Sequence, residues 1–140
     1  MTEGLLIDTC ALIWLAANAQ ASHLGPVEQA LDQASEQGMP ICLSPISGWE
    51  VGMLAAKGRL PLTMPPRLWL DRIMGQSGMT WADMPVEVLL ASSVMPGTPH
   101  GDPADRIIVA TAREYGLRIV TRDAKILDYA ARGHVLALAC

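Results

Sequence analysis

The segment Leu5-Leu6-Ile7-Asp8-Thr9 limits the possible folds more than any other stretch of this chain. Three successive apolar residues mark a short buried strand, and the carboxylate that ends the run cannot stay in the core without a partner. Asp8 is therefore expected to emerge at the strand's C-terminal end. In open parallel α/β sheets that edge is the ligand-binding edge, because the loops leaving the strands line a shared crevice and the next helices point their N-termini into it.

The remaining segments repeat the pattern of a short apolar run followed by a helical one. Ala11 to Ala17 reads as a helix, and a loop containing Gly25-Pro26 starts a second near Val27, with Ala30, Leu31 and Ala34 as its apolar stripe and Gly38 as its stop. Pro40 to Ser44 encloses the strand Ile-Cys-Leu. Ser47-Gly48-Trp49-Glu50 opens a third helix, which Lys57-Gly58 ends. A fourth follows Pro65-Pro66, with Leu68, Trp69, Ile73 and Leu70 turned inward or toward a partner. Met79 to Met84 reads as a weak strand, and Pro85 opens a helix through Val88, Leu89 and Leu90 that Pro96-Gly97 terminates. The last third predicts a helix from Ala104 to Tyr115, a strand from Arg118 to Thr121, a helix from Ala124 to Arg132 and a strand from Val135 to Ala139. Strands separated by helices imply a parallel sheet covered on both faces.

At 140 residues the chain is expected to form one domain, 1–140, which buries roughly 70% of its unfolded surface. An apolar content of 51% lies at the upper end of the soluble range and leaves apolar surface for a partner. The run from Cys10 to Ala17 is too short to cross a bilayer and no basic residue precedes it, so a cytoplasmic protein without membrane contact is expected. Cys10, Cys42 and Cys140 are odd in number and irregularly spaced, which suits core or terminal thiols better than disulfides or zinc. The net charge of −4 does not exclude a nucleic-acid partner: setting four clustered acids aside from 14 leaves 10, against 10 basic residues.

Four carboxylates occupy strand–helix junctions: Asp8 after the first strand, Glu50 on the helix after the second, Asp105 at the start of the helix before the fourth, and Asp123 after that fourth strand. Helix capping explains each one singly. Ser47 and Glu50 fit a capping box, Asp102 and Pro103 fit an N-cap and first helical position, and Asp105 then favours the helix dipole. Capping does not select acids over Ser, Thr and Asn so uniformly, however, and the helix starts at Val27 and Pro66 lack one. Acids gathered at one sheet edge repel each other unless something positive lies among them, and a hard divalent cation with oxygen ligands meets that need.

Four segments resemble the PIN-domain family and, within it, VapC-type toxins: Leu6 to Leu12, Ser44 to Val51, His100 to Ala112, and Val120 to Asp123. The likeness runs in order through nearly the whole chain. It implies a three-layer α/β/α domain with a central parallel sheet, Mg²⁺- or Mn²⁺-dependent cleavage of RNA, homodimerisation, and inhibition by a cognate antitoxin. Carried onto this sequence, Asp8, Glu50, Asp105 and Asp123 match the family's acidic quartet, as metal ligands and catalytic groups, with Asp8 as the central one. Asp102 is a fifth candidate, and Thr121 is a neighbouring hydroxyl that positions a carboxylate or water. His100 is structural, solvated in its loop, or a substrate contact. Ala104 departs from the family's frequent bulky aromatic, which bears on local packing only. Arg106 and Arg122 flank the acids as candidate RNA contacts, with Lys57, Arg59 and Arg113 beyond them. Trp49, Met53, Trp69 and Met74 offer either a face for the antitoxin or core.

Other functional classes fit less well. A phosphoaspartyl domain could use Lys125 but needs a second acid where Thr9 and Cys10 stand, and a dinucleotide-binding domain needs a glycine-rich turn after Ile7. A catalytically silent module that binds protein or RNA on the same fold is the alternative to a nuclease.

Overall fold

The computed structural model describes residues 3–18, 25–76 and 78–140. The elements follow in the order β1 (Leu5–Ile7), α1 (Thr9–Ala17), α2 (Pro26–Glu36), β2 (Ile41–Leu43), α3 (Pro45–Ala56), α4 (Pro66–Met74), β3 (Met79–Trp81), α5 (Val86–Ser93), α6 (Pro103–Tyr115), β4 (Arg118–Thr121), α7 (Ala124–Ala131) and β5 (Leu136–Ala139). The strands form one sheet in the order β3-β2-β1-β4-β5, and every pairing is parallel.

Side-chain alternation along the strands divides the core into two layers. Leu6, Cys42 and Ile119 face Val88, Ile108, Val109 and Ala112 of α5 and α6, with Ile126 and Tyr129 of α7. Leu5, Ile7, Ile41, Leu43 and Val120 face the other way, onto Ala11 and Leu12 of α1, Val27 and Ala34 of α2, and Leu70 of α4. This is the expected three-layer α/β/α arrangement, with apolar runs in the strands because both sheet faces are covered.

The strand order locates the functional edge. From β1 the chain winds outward through β2 to β3, then returns to the opposite side of β1 with β4 and continues to β5. The winding reverses between β1 and β4, and at such a reversal the connecting loops part to leave a crevice at the carboxyl ends of the strands.

Several element boundaries differ from the sequence reading. The third helix begins at Pro45, not Ser47: Ser44 is its N-cap, its Oγ accepting from the Ile46 N–H at 3.2 Å, so no Ser47–Glu50 capping box forms. Ser47 and Glu50 are thereby released for contacts with α1. β3 stops at Trp81, and the exposed Leu68 turns away from the core while Leu70 is buried in it. Trp69 and Met74 pack against the core, Met53 is half-buried and Trp49 is exposed. Of the three thiols, all free, only Cys42 is buried, whereas Cys10 is exposed. The predicted loop before Gly25 falls partly on residues outside those described. No helix among the described residues is long and apolar enough to cross a membrane.

Candidate active site

Asp8 sits at the N-cap of α1, only 2% exposed, at the end of the central strand. Its Oδ1 accepts the Ala11 N–H at 2.7 Å, and its Oδ2 accepts a hydrogen bond from the fully buried Thr121 at the end of β4. Thr121 Oγ1 in turn accepts the Asp123 N–H at 2.9 Å, so one hydroxyl ties the carboxylate of β1 to the turn after β4. Asp123 caps α7, its Oδ1 accepting from Lys125 and Ile126 at 2.8 and 3.0 Å.

Glu50 reaches the edge from α3. Thr9 Oγ1 donates to Glu50 Oε1 at 2.6 Å and meets Ser47 Oγ at 2.8 Å. Thr9 has one hydroxyl proton, so while it serves the carboxylate, Ser47 supplies the proton of the second contact. Asp105 lies in the first turn of α6, where Asp102 is the N-cap and accepts the Asp105 N–H at 3.0 Å. The two aspartates thus differ in setting: Asp102 is engaged as the cap, as Asp8 and Asp123 are on their helices, and Asp105 turns its Oδ2 toward His100.

His100 joins the halves of the site. Its Nε2 lies 3.1 Å from Asp123 Oδ2 and 3.3 Å from Asp105 Oδ2, with the imidazole only 10% exposed. One ligand-capable atom from each of His100, Asp105 and Asp123 falls within 4.8 Å of the others. Asp8 and Glu50 stand outside that tight trio but within its field, since Asp8 is repelled by Asp123, and Glu50 by Asp102 and Asp8.

Burial dominates the electrostatics of the site, with repulsion among the acids second. Burial pushes the Asp8 carboxyl above its usual range, more than its bonds to Thr121 and Ala11 can offset. Burial does the same to Glu50 against the opposing bond from Thr9. Asp105 is raised to about 7, first by burial, then by repulsion from Asp102, Glu50 and Asp123, with His100 pulling the other way. Asp123 differs: burial raises it, but the Ile126 N–H, His100 and the Lys125 N–H outweigh that and leave it low. A set of carboxylate oxygens held in fixed positions, most of them resisting ionisation, fits a hard divalent cation by donor type and by charge.

The candidate cations are placed unevenly. Arg106 Nε donates to the Ser92 carbonyl at 2.9 Å and Nη1 to the His100 carbonyl at 3.3 Å, which commits it to holding the loop that carries His100. Arg122 donates to the Cys140 carbonyl and lies 4.5 Å over the Trp14 ring. Arg113 donates to the His134 carbonyl. A groove of about 410 Å³ opens beside His100 and is lined by Lys125 and Arg132, neither of them among the cations expected to contact RNA. The roles of Thr9 and Ser47 were also missed; their only signal was a hydroxyl directly after Asp8 and another three residues before Glu50.

Residues 5–132 match the PIN domain family. Ribonuclease VapC22 of Mycobacterium tuberculosis is 30% identical to this chain over 125 residues, which span 89% of the chain and 91% of that protein. Among solved structures, VapBC2 from Rickettsia felis, bound to a DNA fragment from its promoter, superposes with a TM-score of 0.68 at 14% identity, covering 97% of this chain and 98% of that one. FitAcB from Neisseria gonorrhoeae gives a TM-score of 0.52 at 21% identity, covering 96% of each chain. At those identities the structures speak for the fold, while the sequence matches speak for descent. With acids at the end of β1, on α3, at the start of α6 and after β4, and a family match across most of its length, the chain belongs to the PIN domain family and is akin to the VapC ribonucleases.

Proposed function

We propose that the protein is a cytoplasmic endoribonuclease, dependent on Mg²⁺ or Mn²⁺, that hydrolyses RNA phosphodiester bonds as the toxin of a type II toxin–antitoxin pair. The observation that carries this reading is the convergence of Asp8, Glu50, Asp105 and Asp123 on the β1/β4 crevice, three of them with carboxyls held above the usual range. Asp8, Asp105 and Asp123 would hold the metal, with Glu50 beside them. Held there, a divalent ion would supply a lowered pKa for a bound water and would offset charge on the phosphoryl oxygens. Glu50, raised by burial and anchored by Thr9, orients the attacking water and accepts its proton. Thr121 holds Asp8 in place, and Lys125 and Arg132 offer positive charge to the RNA backbone along the groove beside His100.

An antitoxin partner is supported by the likeness to the VapBC2 and FitAcB assemblies and by the exposure of Trp49, the one aromatic of the expected docking face that stays outside the core. A homodimer is supported by further exposed apolar side chains, Val86 and Leu90 one turn apart on α5 and Val94 at its C-cap. The test is cleavage of a mixed RNA pool by purified protein with Mg²⁺ or Mn²⁺, with EDTA and Asp8→Asn as controls. Cleavage that disappears in both controls is expected. Equal behaviour of wild type and Asp8→Asn, with antitoxin carry-over excluded, would favour the silent binding module instead.

A further inference from the structure

We infer that His100 is a positioning residue locked in the Nε2–H tautomer, donating between Asp105 and Asp123, and is not a ligand of the metal proposed above. The ring's two nitrogens meet opposite kinds of partner. Nδ1 lies 3.0 Å from the Asp102 backbone nitrogen, whose proton points at it, so Nδ1 acts as the acceptor. An Nδ1–H form would set two N–H groups head to head. Nε2 faces only carboxylate oxygens, 3.1 Å to Asp123 and 3.3 Å to Asp105, and these accept its proton. Ligation of a metal through Nε2 would require that proton to move to Nδ1, the nitrogen the Asp102 N–H already occupies.

The surroundings hold this state in place. Arg106 Nη1 donates to the His100 carbonyl, and Tyr129 Oη donates to the Pro96 carbonyl at 2.6 Å, which fixes the loop at both ends. A donor shared by Asp105 Oδ2 and Asp123 Oδ2 relieves their mutual repulsion and keeps them at a set separation before any cation arrives. His100 thus keeps in register two carboxylates that come from different elements, α6 and the cap of α7. This gives the His-x-Asp-Pro-x-Asp segment a physical logic: the N-cap aspartate orients the histidine through its backbone, and the histidine orients the next aspartate through its ring.

The chain has 3 histidines, so long-range ¹H–¹⁵N spectra of histidine-labelled protein are readable, with His100→Gln identifying the signal. The Nε2–H pattern is expected for His100 in metal-free protein and after Mg²⁺ is added. An Nδ1–H pattern in either state would overturn the inference. Mn²⁺ affinity by calorimetry is a second reading: His100→Ala should bind about tenfold more weakly or worse, as for other residues that orient metal ligands, and His100→Gln, which keeps an N–H donor, should recover part of the loss. Wild-type affinity in His100→Ala would count against a positioning role. The catalytic meaning rests on the nuclease reading, but the tautomer of metal-free protein does not. Absence of RNA cleavage together with the Nε2–H pattern would remove the nuclease and leave His100 as assigned.

Discussion

Thr121 shows how much one hydroxyl can carry. It is fully buried, donates to Asp8 and accepts from the Asp123 N–H, so it satisfies a carboxylate and an amide that the fold has removed from water. Thr121→Val keeps the shape and removes both bonds, leaving a buried acceptor and donor unpaired. We expect a loss of about 1–3 kcal/mol, seen as a lower urea midpoint with an unchanged slope; an unshifted midpoint would show that water replaces the hydroxyl. Asp8→Asn should act in the opposite sense on metal-free protein. It removes a desolvated charge and keeps a side chain able to cap α1, so the folded state gains stability while cleavage is lost. Thermal denaturation with EDTA checks this, and a less stable Asp8→Asn would mean that the caps and bonds of Asp8 outweigh its repulsion.

At the scale of elements, the loop between α5 and α6 has the narrowest tolerance. Gly97 has φ of +69°, and a Cβ there would fall 2.8 Å from His134 Nε2. That ring packs on Tyr129, with centroids 4.6 Å apart, and Tyr129 holds the Pro96 carbonyl. Gly97→Ala should cost about 1–3 kcal/mol and should reduce RNA cleavage even where the variant is fully folded, because the same loop delivers His100; a thermal melt paired with a cleavage assay separates the two effects. The helices and strands themselves were legible in the sequence because their signals are local. Apolar triplets mark β1 and β2, and α6 ends at Tyr115 as expected, closed by Gly116 in a left-handed turn. Asp8, Asp102 and Asp123 are all true N-caps, so the capping explanation and the convergence of acids hold together rather than compete. Two kinds of feature were not legible. Ser47 mimicked a cap because Ser44 and Pro45 offered the same chemistry three residues earlier. The partners of His100 and Thr9 depend on pairings across the sheet edge, which no stretch of sequence displays.

For the whole molecule, the acidic crevice should make folding sensitive to pH and, on the reading proposed above, to added divalent metal. Asp105 is raised to about 7 from 3.8, and Asp8 and Glu50 are raised as well. Carboxyls with a higher folded than unfolded pKa bind protons more tightly when folded, so the stability they contribute is full below their unfolded values and is lost as pH rises through the folded ones. Metal-free protein should therefore melt at falling temperature between about pH 5 and about pH 8, and Asp105→Asn should flatten that slope. Mg²⁺ at about a hundred times its dissociation constant should add about 2.7 kcal/mol in wild type and far less in Asp8→Asn. A flat profile for metal-free wild type would show that the acids are better solvated than their burial implies. The strand order has a further consequence during synthesis. β1 appears first but lies at the centre of the sheet, and its neighbour β4 appears near the end, so the bond from Thr121 to Asp8 joins residues 113 apart. A growing chain carries Asp8 and Glu50 long before the strand that completes their crevice has left the ribosome. Chains that stop before β4 should bind no Mn²⁺ and cut no RNA, which purified truncations can verify. On the toxin reading proposed above, every unfinished copy would thereby be inert.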